Sequence, residues 1–180
     1  MIVKSYEIEK IKLDKKKFFL IYGSNQGYKD QVIKELFQRR FKGEIIKFDE
    51  NEILNSYESC ISNLMNKSLF EDDKLIIISR ASDKILKFVI EIIEKKIEKL
   101  TVIINSNNLE KKSKLRSLFE KEKELICIPF YDDNDKILSS ITQNFLRQKK
   151  IKASQEIINL VVERSRGDRG NLINELNKIE

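Results

Sequence analysis

Histidine and tryptophan are absent from this chain of 180 residues, and proline occurs only once. Without histidine, the Ser-His-Asp and Cys-His catalytic arrangements are excluded, and so are most zinc sites. The single proline and the five glycines argue against long linkers and low-complexity segments. The sequence therefore indicates a folded chain whose chemistry, if it has any, does not depend on imidazole.

Cysteine is also scarce, since Cys60 and Cys127 are the only two in the chain. They form no ligand cluster and no signal segment precedes them, so we expect a reducing, cytoplasmic setting. Both lie in apolar segments, which is typical of inert core thiols. No apolar run approaches the roughly 20 residues that span a membrane, and no membrane partner is expected.

Charge is abundant but nearly balanced, with 35 basic and 29 acidic residues and a net charge of +6. Hydrophobic residues make up 41% of the chain and charged residues 36%, which indicates a globular domain. A moderate basic excess permits a nucleic-acid or other anionic partner without requiring one.

Continuous apolar runs recur along the first 130 residues and alternate with amphipathic segments. A run without alternation predicts a strand that is buried on both faces, and parallel strands need crossover helices. The sequence thus predicts an α/β fold with a mostly parallel five-stranded sheet flanked by helices. The expected strands are Phe18–Tyr22, Glu44–Phe48, Leu75–Ile78, Leu100–Ile104 and Leu125–Ile128.

Helical spacing of apolar residues predicts the elements between and after the strands. We expect a helix from Val32 to Phe41 that Gly43 ends, and a single helix from Ile53 to Met65. Ser82 is expected to cap a helix whose apolar stripe reaches Ile97. After the fifth strand only helices follow, with Ser154 and Asp168 as caps. These patterns predict an α/β domain over residues 1–134 and a small helical lid domain over residues 135–180.

The turn after the first strand resembles a damaged phosphate loop. Gly23 and Lys29 match the pattern G-x-x-x-x-G-K-[ST], but Tyr28 replaces its second glycine and Asp30 its hydroxyl residue. Tyrosine obstructs the backbone curl around phosphate, and Asp30 adds negative charge there. We predict no working nucleotide site, no catalytic set, no metal site and no cofactor. A nucleotide-hydrolysing enzyme that uses Lys29 stays open as an alternative.

Two further features admit two interpretations each. The cations Lys111, Lys112, Lys114 and Arg116 form either a solvated helix surface or a phosphate-contacting patch, and a stand-alone DNA-binding module is a second alternative function. In the stretch Met65–Lys74, an apolar Leu-Phe pair follows one helix and precedes a strand, although neither periodicity requires it. Such a pair is either core or a docking element.

Several segments carry a resemblance to a known family: Phe18–Gly23, Lys67–Phe70 followed by Asp73–Ile78, Lys112–Leu115 and Gly167–Lys178. Their order and spacing resemble the delta subunit of the bacterial DNA polymerase III clamp loader, over nearly the whole chain. The resemblance implies an AAA+ ATPase fold that has lost nucleotide binding, in agreement with Tyr28 and Asp30. It also implies a part in DNA replication, in which the chain binds the ring-shaped sliding clamp and helps to open it.

In that family, a Ser-Leu-Phe sequence reaches into a hydrophobic pocket on the clamp. The resemblance implies this role for Ser68, Leu69 and Phe70, and Met65 stands where the family often has a Gln. The implied partners are the sliding clamp, the other clamp-loader subunits and primer–template DNA within the complex. In that family, sister subunits join through a collar domain, which we expect this chain to lack. No activity is expected of the chain alone, although it would belong to a DNA-directed DNA polymerase (nucleotidyltransferase) holoenzyme. Leu69 and Phe70 should then be solvent-exposed.

Overall fold

The computed structural model describes residues 1–10, 17–65 and 73–179. The chain divides into two compact units. The first, here called the sheet unit, comprises Met1–Gly23 and Ile33–Pro129, and the second, the helical unit, comprises Ser24–Val32 and Phe130–Glu180. Compared with the expected boundary after residue 134, the helical unit additionally contains residues 130–134 and the segment Ser24–Val32.

Five strands form one parallel sheet in the order β2-β3-β4-β1-β5. The predicted five-stranded parallel sheet is therefore confirmed, although several strands run a few residues longer than the apolar runs suggested. Their bounds are β1 Phe18–Tyr22, β2 Glu44–Asp49, β3 Lys74–Ala81, β4 Leu100–Ser106 and β5 Leu125–Pro129.

Both faces of this sheet are covered, which explains the unbroken apolar runs. Leu20, Ile76 and their equivalents on neighbouring strands share one core with the helices that follow the strands. Successive side chains of a strand point to opposite faces. On the other face, the fully buried ring of Phe19 meets that of Phe37 edge to face, with 5.0 Å between their centroids.

Eight α-helices accompany the strands in the described residues, and short 3-10 turns lie at Ser5–Lys10 and Asp83–Ile85. In chain order the helices are α1 Gln26–Val32, α2 Glu50–Asn55, α3 Tyr57–Met65, α4 Leu86–Glu94, α5 Lys114–Lys121, α6 Asp135–Gln148, α7 Gln155–Ser165 and α8 Arg169–Asn177.

The prediction of a single helix from Ile53 to Met65 is wrong, because Ser56 has a non-helical backbone and separates α2 from α3. Asp49 starts α2 with a capping box in which Glu52 reciprocates, so this helix has its own start signal. Leu54 fits the apolar spacing that predicted the single helix, but it is 42% exposed and so does not belong to the core.

Two other predicted helix bounds also need correction. The segment after α1 continues as a π-helix over Ile33–Gln38 and ends before Phe41. Ser82 caps the 3-10 turn rather than a long helix, and α4 ends at Glu94, before Ile97. In both places the apolar spacing runs past the end of the regular hydrogen bonding, so periodicity alone overestimates helix length.

The helical unit has a core of its own, contributed by α6, α7 and α8. Ser154 caps α7 and Asp168 caps α8, each by accepting a hydrogen bond from a backbone amide of the first turn, as predicted. Asn134 does the same for α6. The core side chains are Leu138, Val161, Val162, Leu172 and Leu176.

Candidate functional site

The stretch that carries the docking prediction lies between α3 and β3. Ser68, Leu69 and Phe70 lie outside the described residues. Met65 ends α3 and is 50% exposed, so its side chain is accessible to a partner. The two flanks are near one another, because Lys74 Nζ donates to the carbonyl of Asn63 over 3.4 Å.

The strand flank of this stretch is firmly held. The carbonyl of Asp73 accepts the amide of Glu44 at 2.9 Å, and the amide of Lys74 donates to the carbonyl of Lys99 at 2.8 Å. Gly43 packs against Asp73 so closely that an added Cβ would collide with the Asp73 carbonyl. Asp73 and Lys74, the first described residues after this stretch, are therefore held in place where β3 begins.

The residues of the damaged phosphate loop do not present a phosphate site. Lys29 is fully buried within α1, and burial lowers the pKa of its ammonium, an effect that the charge of Asp30 partly opposes. Asp30 accepts a hydrogen bond from Gln26 at 2.7 Å. Gly23, with φ of 126°, occupies a conformation that L side chains rarely adopt. The matched glycine thus serves the turn, whereas Lys29 is withdrawn from solvent.

A buried polar cluster surrounds Tyr28 in the helical unit, formed by Asn25, Tyr28, Asp133 and Arg169 and called here the Arg169 cluster. Arg169 donates from Nε and Nη2 to the two carboxylate oxygens of Asp133, each at 2.6 Å. Their side chains are only 10% and 5% exposed. Asn25 Nδ2 donates to the same carboxylate at 2.9 Å. Three nitrogen donors therefore converge on one buried carboxylate.

Tyr28 completes this cluster with its ring. The guanidinium carbon of Arg169 lies 3.6 Å from the centroid of the Tyr28 ring, which is a close cation–π contact. Phe130 packs edge to face on the same ring, with 4.9 Å between centroids. Tyrosine at the position of a phosphate-loop glycine is thus the platform for an arginine.

The starts of α1 and α8 are in close backbone contact beside this cluster. A Cβ on Gly27 would collide with the backbone nitrogen of Gly170, so the two glycines allow the helices to approach. Because α1 has only seven residues and its first turn abuts α8, it offers no open N-terminus to an anion.

The four cations near the start of α5 fall into two groups. Lys111, Lys112 and Lys114 are exposed. Arg116 is instead engaged inside the sheet unit: it pairs with Glu120 at 2.7 Å and donates to the carbonyl of Leu109 at 3.0 Å. Only the three lysines are free to face solvent, although Lys112 also pairs with Glu110 at 2.9 Å.

Neither cysteine is poised for chemistry. Burial raises the pKa of Cys127 to about 12, and it also raises the pKa of Cys60. Among the residues that the structure describes, no cluster of acidic or cysteine side chains is arranged to hold a metal ion. Within the same residues, no helix is both long enough and apolar enough to cross a bilayer.

Comparison with solved structures assigns the fold. The chain aligns over 97% of its length with the Bacillus subtilis DNA clamp loader delta protein YqeN, at 12% identity and a TM-score of 0.64, covering 55% of that protein. The replication initiator DnaA, bound to AMPPCP and single-stranded DNA, aligns over the same share at 14% identity and 0.61, covering 60% of it. The chain has an AAA+-like fold, a five-stranded parallel sheet flanked by helices.

The Thermotoga maritima RuvB Holliday junction branch migration motor has a similar fold, at 13% identity and a TM-score of 0.57. The chain spans little more than half of these structures, between 55% and 60% of each. At such identities the likeness establishes the architecture alone. No family model and no curated protein matches the sequence.

The Arg169 cluster is the part of the site that the sequence did not reveal. Asp133 belongs to the run Asp132-Asp133-Asn134-Asp135, which resembles a solvated loop followed by a helix cap. Arg169 is one of the three arginines at positions 164–169. A signal did exist in the tyrosine at the glycine position, since a large ring there has to pack against another side chain.

Proposed function

We propose that this chain is a clamp-loader subunit of the delta type, which binds the sliding clamp and helps to open it during DNA replication. The observation that carries the proposal is the AAA+ fold shared with a clamp loader delta protein over 97% of the chain. The Ser-Leu-Phe sequence at residues 68–70 supports it, because it stands where that family carries its clamp-binding side chains.

The surroundings of that sequence are compatible with docking. Met65 exposes half of its side chain at the end of α3, and Asp73 and Lys74 are fixed by backbone hydrogen bonds. A segment with two ordered ends loses less conformational entropy on binding than a free tail. Burying one Leu and one Phe contributes roughly 1.5–3 kcal/mol each, enough for a small hot spot.

The further partners and the setting are part of the same proposal. The other clamp-loader subunits and primer–template DNA would be its further partners within the complex. The exposed lysines Lys111, Lys112 and Lys114 are the candidate contacts to its phosphates. The chain would work in the cytoplasm, in a DNA polymerase III holoenzyme whose nucleotidyltransferase activity resides elsewhere.

The nucleotide-hydrolysing alternative finds little support in the site. It requires Lys29 to reach a phosphate, and Lys29 is fully buried with a lowered pKa. That alternative expects ATP binding that is lost in Lys29→Ala. Calorimetry that detects no ATP binding to the wild-type chain would remove it.

The deciding experiment measures binding of the chain to the sliding clamp encoded by the same genome. We expect Leu69→Ala/Phe70→Ala to weaken this binding by about 100-fold or more, because two buried anchors are removed. The matched control is Ile157→Ala/Leu160→Ala, which removes two apolar side chains that are half exposed on α7. Equal affinity of the wild type and the Leu69→Ala/Phe70→Ala variant would refute the proposed docking site.

A further inference from the structure

The Arg169 cluster has the composition of an oxyanion-binding site with its ligand in place. A bidentate arginine and an amide nitrogen surround the carboxylate of Asp133, at donor–acceptor distances of 2.6, 2.6 and 2.9 Å. The planar fork of arginine matches carboxylate and phosphate oxygens equally well. The same donors would therefore accept a free oxyanion of similar size.

The donors are held by contacts other than those to Asp133. The guanidinium of Arg169 lies on the Tyr28 ring, and Phe130 packs against the edge of that ring. Asn25 is fixed twice, since its Oδ1 accepts the amide of Tyr28 at 3.1 Å and its Nδ2 also donates to the carbonyl of Tyr131 at 3.1 Å. Loss of the carboxylate would thus leave the donors largely in position.

We propose that Arg169 and Asn25 form an oxyanion site whose resident ligand is the side chain of Asp133. The internal carboxylate fills the place that an external oxyanion would take, and it joins Asn25, immediately before α1, to Arg169 at the start of α8. When the carboxylate is removed, a small free carboxylate such as formate occupies the same donors.

This site is more than a pair of opposite charges on a surface. Both charged side chains are nearly buried, and a guanidinium that loses its partner in such a place keeps the desolvation cost without the compensating attraction. Formate replaces the atoms that Asp133→Ala deletes, because the alanine retains Cβ and lacks only the carboxylate group. A surface ion pair would show no such requirement for a particular anion.

Chemical rescue of Asp133→Ala tests the site. We expect the substitution to lower the melting temperature of the chain by about 6–20 °C, as for the loss of one partner of a buried pair. Sodium formate should restore part of this shift along a saturable curve, whereas sodium chloride of equal ionic strength should not. The two salts should affect the melting temperature of the wild type equally, because Asp133 already fills its site.

Two further variants make the result specific to Arg169. Asp132→Ala removes the exposed neighbouring acid and should change neither the melting temperature nor the response to formate. Asp133→Ala/Arg169→Met also removes the two principal nitrogen donors. We expect formate to raise the melting temperature of this double variant no more than chloride does. If Asp133→Ala aggregates, the soluble yield after refolding in formate or in chloride provides the same comparison.

Each outcome of these experiments either supports or overturns the oxyanion site. A formate-specific gain in Asp133→Ala that the double variant lacks supports the oxyanion site. Equal effects of formate and chloride on Asp133→Ala, or a melting temperature equal to that of the wild type, would overturn it. A saturable stabilisation of the wild type by formate would also overturn it, since the site would then not be filled by Asp133.

Discussion

Asp83 connects the 3-10 turn after β3 to the start of α5, and its removal should weaken the sheet unit. Its Oδ1 accepts the hydroxyl of Ser113 at 2.6 Å and the amide of Leu115 at 2.9 Å, while Oδ2 accepts the amide of Lys114 at 3.1 Å. A carboxylate at this position also complements the positive end of the helix dipole.

The size of the effect follows from these contacts. Hydrogen bonds to a charged group contribute about 1.5–3 kcal/mol each when they are buried, and a charge at a helix start adds about 0.3–1 kcal/mol. Asp83 is exposed, so solvent reduces each contribution. Ser113 also keeps its own capping bond from the amide of Arg116. We therefore expect Asp83→Ala to lower the free energy of unfolding by about 1–3 kcal/mol.

The same contacts predict how the effect depends on pH. Burial acts to raise the pKa of Asp83, but the hydrogen bonds from Ser113, Leu115 and Lys114 outweigh it and hold the pKa below its ordinary 3.8. Stability from a carboxyl with a lowered pKa is fully present above the unfolded value and is lost as the pH falls through the folded value. The advantage of the wild type over Asp83→Asn should thus be constant near neutrality and shrink below about pH 4.

Urea unfolding followed by circular dichroism measures both expectations. Glu98→Ala is the matched control, because Glu98 is an exposed acid on the turn before β4 of the same unit, and we expect it to change stability little. A loss below about 0.5 kcal/mol for Asp83→Ala, the range of ordinary surface substitutions, would refute this account of the contact. So would a difference between the wild type and Asp83→Asn that does not vary below pH 4.

Two further predictions concern cations. Burial lowers the pKa of Lys29, so the charged form of its side chain is penalised in the folded state. The stability of the wild type relative to Lys29→Met should therefore rise as the pH increases from the lowered pKa of the folded state towards 10.5. A stability difference in urea unfolding that does not vary with pH would contradict this. If Lys111, Lys112 and Lys114 contact phosphates, changing all three to Gln should weaken DNA binding and flatten its log–log salt dependence by up to about 2.7, at about 0.9 for each contact. An unchanged slope would exclude them. The matched control changes three exposed lysines elsewhere: Lys34, Lys42 and Lys84.

The sheet was predictable from the sequence for a physical reason. A parallel strand covered on both faces has to be apolar at every position, so β1, β3, β4 and β5 appear as unbroken runs. The helix ends were harder to predict. The apolar spacing continues from Ile53 through Tyr57, although Ser56 between them has a non-helical backbone, with φ of −133° and ψ of 41°. Local caps decide such boundaries, and Asp49 with Glu52 was the available signal.

The candidate site was predictable only where it depends on the local pattern. Tyr28 and Asp30 break a pattern of adjacent residues, so the damage to the phosphate loop is visible in the sequence. The pairing of Asp133 with Arg169 joins residues separated by 36 positions, and Asn25 is 108 positions from Asp133. Nothing in the periodicity of either segment specifies such a contact, because it depends on the packing of the finished helical unit.

Under the proposed function, the burial of Lys29 and the pairing of Arg169 with Asp133 limit the possible sources of free energy for clamp opening. A ligand shifts a conformational equilibrium only by the difference between its affinities for the two states. With Lys29 buried and Arg169 bound to Asp133, the wild-type chain offers the phosphates of ATP neither of these cations. ATP would then gain no affinity for either state of this chain from Lys29 or Arg169, so these two cations would not let it shift the equilibrium. The free energy that opens the ring would have to come from docking Leu69 and Phe70 more tightly to the open clamp than to the closed one, and any ATP-driven step would belong to the partner subunits.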